Sequence, residues 1–271
     1  MLSRRRAVVV PSLVALLCTL PACSSSPAET APQPSASTSA TASPAPKADG
    51  GPVLTKDDLV PTIIAAYQEA GSYDFTLVMG EDGALGDVKG AMHLGEVPSY
   101  DMTMTMMGLE MRMRAVDGLG YVSLGELSGG KFLAVDPADA SDPFAEAFSS
   151  SMDQADPSMG LKENEAAIVS VSPAGEATEV DGVQVRTYEV VIDPRQMPER
   201  MAELESNLPA GAEVPATLTY TYVIDADGHV REVSYEILGI EGVMTTSNWG
   251  AAAPVVAPGP DEITTREALG G

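Results

Sequence analysis

Met102-Thr103-Met104-Thr105-Met106-Met107 is the first stretch of this chain whose side chains invite a chemical reading. In an extended strand alternate side chains share a face, so Met102, Met104 and Met106 point one way while Thr103 and Thr105 point the other. Beyond Gly108, Leu109, Met111 and Met113 share a face, with Glu110, Arg112 and Arg114 opposite. Two neighbouring strands of this kind present one thioether-rich apolar surface. Three kinds of chemistry suit it. Flexible, polarizable thioethers fill irregular gaps in a closed core. The same adaptability suits the wall of an apolar cavity for an acyl chain, to which Phe75 and Leu77 of a preceding strand would contribute. Soft sulfur also binds Cu(I). Against copper, His93 and His229 are the only histidines, and the methionines sit in a strand pattern.

Cys23 offers a second chemistry. Arg4, Arg5 and Arg6 precede an apolar run from Ala7 to Leu20, too short for a membrane-spanning helix of about 20 residues. A basic start and a short apolar run are the marks of an export signal. Leu20-Pro21-Ala22-Cys23 then resembles the bacterial lipobox, in which the cysteine sulfur takes a diacylglycerol and the chain is cut before it. The thiolate supplies the nucleophile. The only other cysteine, Cys18, leaves with the signal, so the mature chain is expected to carry no free thiol, disulfide or thiolate metal site.

Other patterns fall short of chemistry. Gly125-Glu-Leu-Ser-Gly-Gly130-Lys131 has Phe132 where a phosphate-binding loop needs Ser or Thr for Mg²⁺, and a strand pattern follows it. Ser128-x-x-Lys131 lacks the partner motifs of serine β-lactamases. The turn at Asp225 and Asp227 lacks the third acidic position and the closing Glu of a calcium loop. His93 and His229 read as ordinary surface or strand residues. No enzyme, metal site or cofactor is expected.

Composition narrows the partners. The formal charge is −24 at pH 7, three units more negative without Arg4, Arg5 and Arg6. Such a chain repels nucleic acid, and it repels anionic headgroups, so membrane attachment rests on the acyl chain. Hydrophobic residues make up 44% but aromatics only 5%, with 14 Met taking up part of the aromatic share of a core. The expected organisation is a signal over 1–22 and the lipidated Cys23 with a disordered Ser/Ala/Pro/Thr linker over 23–52. One domain over 53–265 and a short tail over 266–271 follow. A flexible linker of this length spans roughly 30 Å.

The elements that must position these residues are mostly strands. Thr55-Lys-Asp-Asp58 predicts an N-cap and a helix to about Ala70, with Leu59, Ile63, Ala66 and Ala70 as its buried stripe, Pro61 as a kink or a later start, and Gly71 as the stop. Strands are predicted at 73–79, 88–94, 100–106, 109–116, 119–124 and 131–135. Asp142-Pro143 predicts a helix start with Phe144, Ala147 and Phe148 on one face, and a second short helix begins near Asp156-Pro157. Strands resume at 167–171, 176–180 and 183–192. A helix at 194–204 follows, then strands at 216–224 and 230–237 around the turn Asp225–Gly228, and a last one at 243–249. The fold class is α+β, a single antiparallel sheet with few helices.

The mature chain resembles the LppX/LprG group of actinobacterial lipoproteins over residues 53–263. The resemblance rests on the lipobox and linker, the opening helix, Val116-Asp-Gly118 before Tyr121, Tyr188-Glu-Val-Val-Ile-Asp193, and Tyr222-Val-Ile-Asp-Ala-Asp-Gly-His-Val-Arg231. Trp249-Gly250, Pro254-Val-Val-Ala-Pro258 and Asp261-Glu-Ile263 complete it. It implies a LolA-like half-barrel, a curved antiparallel sheet with helices on its concave face, that binds an acylated lipid or glycolipid as carrier or presenter. Met102, Met104, Met106, Leu109, Met111, Met113, Phe75 and Leu77 would then line the cavity, and Cys23 would anchor the protein on the extracytoplasmic face of a membrane. The methionine content and the acidic stretch 136–164 depart from the group's pattern. The alternatives are a Met-rich Cu(I)-binding lipoprotein and a non-enzymatic sensor or interaction lipoprotein with a closed core.

Overall fold

Apolar residues alternating with polar ones, in runs ended by glycine turns, build half-buried strands. In the computed structural model these strands pair into one large, open, curved sheet. The structure describes residues 50–106, 108–139, 142, 144–145, 148–149, 157–197, 201 and 213–266, all within the compact unit Pro44–Gly271. The expected signal, Cys23 and nearly all of the expected linker lie outside these residues. So do most of the predicted helix after Asp142 and most of the one predicted at 194–204.

Helix α1 spans Lys56–Ala70. Its first turn is held as the sequence predicts, with the Thr55 amide donating to Asp58 Oδ2 at 3.3 Å. Gly71 ends it with φ 66°, a left-handed conformation that favours glycine, its amide donating to the Tyr67 carbonyl. The helix runs through Pro61, which is exposed, so the backbone hydrogen bond lost at proline falls on the solvent side. Leu59, Ile63 and Ala66 are buried and Ala70, at the helix end, is half-buried; Val60, Ile64 and Tyr67 are buried as well, which widens the predicted stripe. A second helix, α2, spans Pro157–Glu165.

The strands are β1 Ser72–Met79, β2 Gly86–His93, β3 Ser99–Met106, β4 Leu109–Val116, β5 Leu119–Ser123, β6 Phe132–Val135, β7 Ile168–Pro173, β8 Thr178–Val180, β9 Val183–Ile192, β10 Leu218–Asp225, β11 Val230–Ile237, β12 Ile240–Ser247 and β13 Ile263–Thr264. Two antiparallel runs, β1 to β6 and β7 to β12, are joined where β1 pairs with β12, Leu77 opposite Met244. β8 pairs with β9 off the main path. β13 lies parallel to β6, the one parallel pair among the described strands.

Most strand ends fall within two residues of the sequence expectation, and two differences are larger. β12 begins at Ile240 rather than Val243, because Leu238 and Gly239 turn the chain with φ 57° and 78°. A two-residue hairpin loop favours positive φ at both positions, and leucine gives no sequence signal for it. β13 is too short to show a period, and pairing with β6 alone defines it.

The helix-covered, concave face carries the main core. Tyr100, Tyr188, Phe148, Ile63 and Ile224 are among its most buried members. Phe148 lies over Gly120, where an added Cβ would sit 2.6 Å from the ring. A smaller cluster on the outer face joins Val116, Tyr121 and Phe132 to Val255 and Ile263 of the C-terminal segment. That segment is also held by Arg114 Nη1 donating to the Val256 carbonyl at 2.8 Å, and by His93 Nε2, 2.8 Å from the Ala253 carbonyl.

Candidate functional site

Between α1, α2 and strands β1, β10, β11 and β12 lies a cavity of about 290 Å³. Ile63 and Tyr67 reach it from α1 and Pro157 and Leu161 from α2; on the sheet side the wall is Leu77, Tyr220, Tyr222, Val230, Val233, Tyr235 and Met244. Strand alternation, with a register shift in β11 between Val230 and Glu232 that brings Val230 round, puts these sheet residues on one face. Tyr220 stands opposite Tyr235, Tyr222 opposite Val233, and Val233 opposite Met244. Neighbouring strands at about 4.8 Å spacing then make a continuous wall.

The wall carries no carboxylate, ammonium, guanidinium or imidazole. Two of its phenols, Tyr67 and Tyr222, are held toward the neutral form. Burial, with a smaller contribution from Tyr220, pushes Tyr222 up to about 12, and burial raises Tyr67 as well, helped by Tyr73 and Tyr222. A wall of this kind accepts hydrocarbon and rejects ions, because an ion would lose its hydration with no partner in return.

Beyond Tyr67, at the end of the sheet where β10 turns into β11, lies a polar-aromatic knot. Trp249 packs on Tyr67 and Tyr73, with ring centroids 4.9 and 5.2 Å away, and stacks on His229 at 4.6 Å. Its indole N–H donates to Thr246 Oγ1 at 3.0 Å, and that hydroxyl donates in turn to the Val230 carbonyl. Asp225, buried beneath the turn, accepts from the amides of Asp227 and His229 and from Arg231 Nε, each at 2.9 Å, and lies 3.0 Å from His229 Nδ1. Burial alone would raise its pKa; the hydrogen bond from His229, its charge and that of Arg231 outweigh burial and hold the carboxyl below the usual range. Asp225, Asp227 and His229 bring donor atoms within 4.8 Å of one another. Arg231 already neutralises Asp225, so the cluster is organised as an ion-paired turn. Here His229 is half-buried, directly before β11, and packs on Trp249.

The sequence-predicted site residues fall as follows. Met102 stands opposite Met113, Met104 opposite Met111 and Met106 opposite Leu109, so the two-strand thioether surface exists. Met102, Met111, Met113 and Phe75 pack against the main core, while Met106 and Leu109 are exposed at the hairpin end. Leu77 lines the cavity described above; the other seven lie on the same sheet face outside its lining. Sequence reasoning passed over Tyr220, Tyr222, Val233, Tyr235 and Met244. Their alternation was visible, but the closure of β12 on β1 that brings them to Leu77 was not. The Gly125–Lys131 stretch forms a short 3₁₀ turn whose amides are spent internally, Gly130 on Gly125 and Lys131 on Ser128. Ser128 is buried against Ser123.

No protein-family model and no curated protein matches the sequence. Among solved structures, the fold is similar to that of LprF from Mycobacterium bovis, at 15% identity and a TM-score of 0.50, covering 76% of this chain and 96% of that one. The Mycobacterium tuberculosis lipoprotein LppX gives 13% identity and a TM-score of 0.46, covering 72% and 99%. MucB gives 12% and 0.36, covering 77% of this chain and 62% of that one. The likeness to LprF is one of fold. It agrees with the curved-sheet architecture implied by the LppX/LprG resemblance, the group to which LprF and LppX belong. Among the described residues no helix is long and apolar enough to cross a membrane.

Proposed function

We propose that this protein is a non-enzymatic envelope lipoprotein, anchored through Cys23 to the extracytoplasmic face of a membrane, that holds an acyl chain of a lipid or glycolipid in its cavity. The observation that carries the reading is an ion-free wall around about 290 Å³ between helices and sheet. At roughly 30 Å³ for a water-sized group, that volume has room for about ten methylenes. Their burial contributes about 0.8 kcal/mol each, several kcal/mol in total before ordering costs. α1 and α2 form the side of the cavity opposite the sheet, so their movement would widen it for uptake and release.

The test is native mass spectrometry with lipid extraction on the mature chain, purified from a host that makes acylated lipids. Co-purifying acyl lipid that is lost in Leu77→Trp with Met244→Trp, two substitutions that fill the space without adding charge, supports the reading. A mass with no lipid beyond that on Cys23, unchanged after incubation with candidate acyl lipids, refutes it.

One observation favours a second reading. Met102 with Met113 and Met104 with Met111 form two cross-strand thioether pairs on one face. Soft sulfur pairs of this kind suit Cu(I), and a titration against a chromogenic Cu(I) chelator separates that reading from the first.

A further inference from the structure

On four strands, β1, β3, β4 and β11, exposure on the concave face is graded toward the same end, while the concave residues of β2, β9 and β10 stay buried there. On β3 it rises from Tyr100, 1% exposed, through half-buried Met102 and Met104 to exposed Met106. On β4 it rises from Ala115, 0% exposed, through Met113 and Met111 to Leu109 at 67%. β1 goes from buried Tyr73 to half-buried Met79, and β11 from buried Val230 to half-buried Ile237. Antiparallel registers put the open ends of these strands together: Met79 pairs with Gly86 and Gly242, and Met106 with Leu109.

The hairpin tips at that end are adjacent, and each carries exposed apolar side chains. Leu85, Met106, Leu109, Leu127, Leu238 and Ile240 are all exposed. The Gly80 amide donates to the Glu241 carbonyl at 2.8 Å, tying the β1–β2 tip to the β11–β12 tip. A Cβ on Gly86 would lie 3.1 Å from Met106 Cγ, and one on Gly125 would lie 2.7 Å from the Glu110 carbonyl, so the remaining tips follow side by side. The opposite end of the sheet carries the Trp249 knot. An apolar surface that runs unbroken from a cavity wall onto an exposed rim marks an interaction face rather than scattered surface residues.

We infer that this rim docks on the surface of an electrically neutral lipid bilayer and inserts the exposed apolar side chains of its tips there. Three observations choose that occupant. The ramp from core to rim bears no charge, as contact with acyl chains requires. Glu81, Asp82, Glu110, Glu126 and Glu241, all exposed, outnumber the exposed cation Lys131 around the tips, a net acidic collar that repels anionic headgroups and tolerates zwitterionic ones. The chain that leads to Cys23 enters at the opposite end, where Gly50 lies against Ala177 and Val185. From Ser24 to Asp49 its contour length is roughly 90 Å, several times the length of a strand, so attachment there leaves the rim free to face the membrane. The inference extends the acyl-binding reading, since the docked rim is where a chain would pass between bilayer and cavity.

The experiment uses the full mature chain, purified from membranes and reconstituted in phosphatidylcholine vesicles. Leu109→Cys and, in a separate protein, Val97→Cys at the knot end are labelled with an environment-sensitive fluorophore; the chain without either cysteine serves as the blank. A spin-labelled phosphatidylcholine in the bilayer is the quencher. The expected result is a blue-shifted Leu109 label quenched several-fold more than the Val97 label, with the difference lost when phosphatidylglycerol is included. Equal quenching at both ends, or stronger quenching at Val97, overturns the inference. Quenching that strengthens with phosphatidylglycerol overturns the neutral-surface assignment. Because docking is read by fluorescence and acyl binding by mass, a chain that retains lipid but leaves Leu109 in water refutes docking alone.

Discussion

Asp101 and Arg114 face each other across the β3–β4 ladder on the outer side of the sheet, Oδ2 and Nη2 2.6 Å apart. Arg112 joins the same carboxylate at 2.6 Å. Both guanidiniums lie over the Phe132 ring, 5.6 Å away for Arg112 and 5.1 Å for Arg114. Arg114 is only 8% exposed, so removing its partner leaves a poorly hydrated cation. Asp101→Asn should therefore lower stability by about 2 kcal/mol, below the range for fully buried pairs because Arg112 remains half in solvent. A lowered urea midpoint at unchanged slope checks this, and an unchanged midpoint refutes it.

Acid should weaken the fold through two carboxylates. Burial alone would raise Asp101, but hydrogen bonds from Arg112 and Arg114 outweigh it and hold the group below its ordinary 3.8; Asp225 is lowered likewise by His229 and Arg231. Between the lowered folded value and the ordinary unfolded one, the unfolded chain binds more protons, so stability rises with pH. Their contribution is complete above the unfolded value and is lost as pH falls through the folded one. Urea midpoints measured below pH 5 should drop, and Asp101→Asn with Asp225→Asn should flatten that drop while lowering the neutral-pH value.

Gly120 is needed because the Phe148 ring occupies the place of its side chain. Gly120→Ala should cost about 1–3 kcal/mol, the usual penalty for overpacking a core. The urea midpoint reads it, and restoration by adding Phe148→Leu identifies the ring as the cause.

Gly242 plays a similar part beside the cavity, where the Tyr235 ring lies across it. A Cβ at 242 must displace that ring, which is one wall of the cavity. Gly242→Ala should reduce co-purifying lipid by more than it reduces stability, as measured by native mass spectrometry beside a urea melt. Equal losses in both would make Tyr235 a packing residue only.

The thioether pairs give a chemical prediction. Met102, Met111 and Met113 pack against buried neighbours, so a copper ion would have to displace core contacts to reach four sulfurs. Competition with a chromogenic Cu(I) chelator should leave the metal with the chelator. Transfer of one equivalent to the protein, abolished by Met104→Leu with Met111→Leu, would establish the copper reading instead.

Much of this architecture was legible in the residues because its causes are local. Period-two alternation assigned each strand its two faces, and the turn at Gly108 put Met104 opposite Met111, since a hairpin register follows from loop length. Thr55, Asp58 and Gly71 marked both ends of α1 because capping is satisfied within a few residues. What only the tertiary structure decided depends on contacts distant in sequence. The pairing of β1 with β12, the parallel strand β13, the placement of α1 and α2 over β10 to β12, and so the cavity around Leu77, Tyr222 and Met244, arise where two meanders meet. An alternating strand specifies which side chains seek cover, but it does not specify what will cover them. For that reason the apolar face was readable from the sequence, and which part of it encloses space was not.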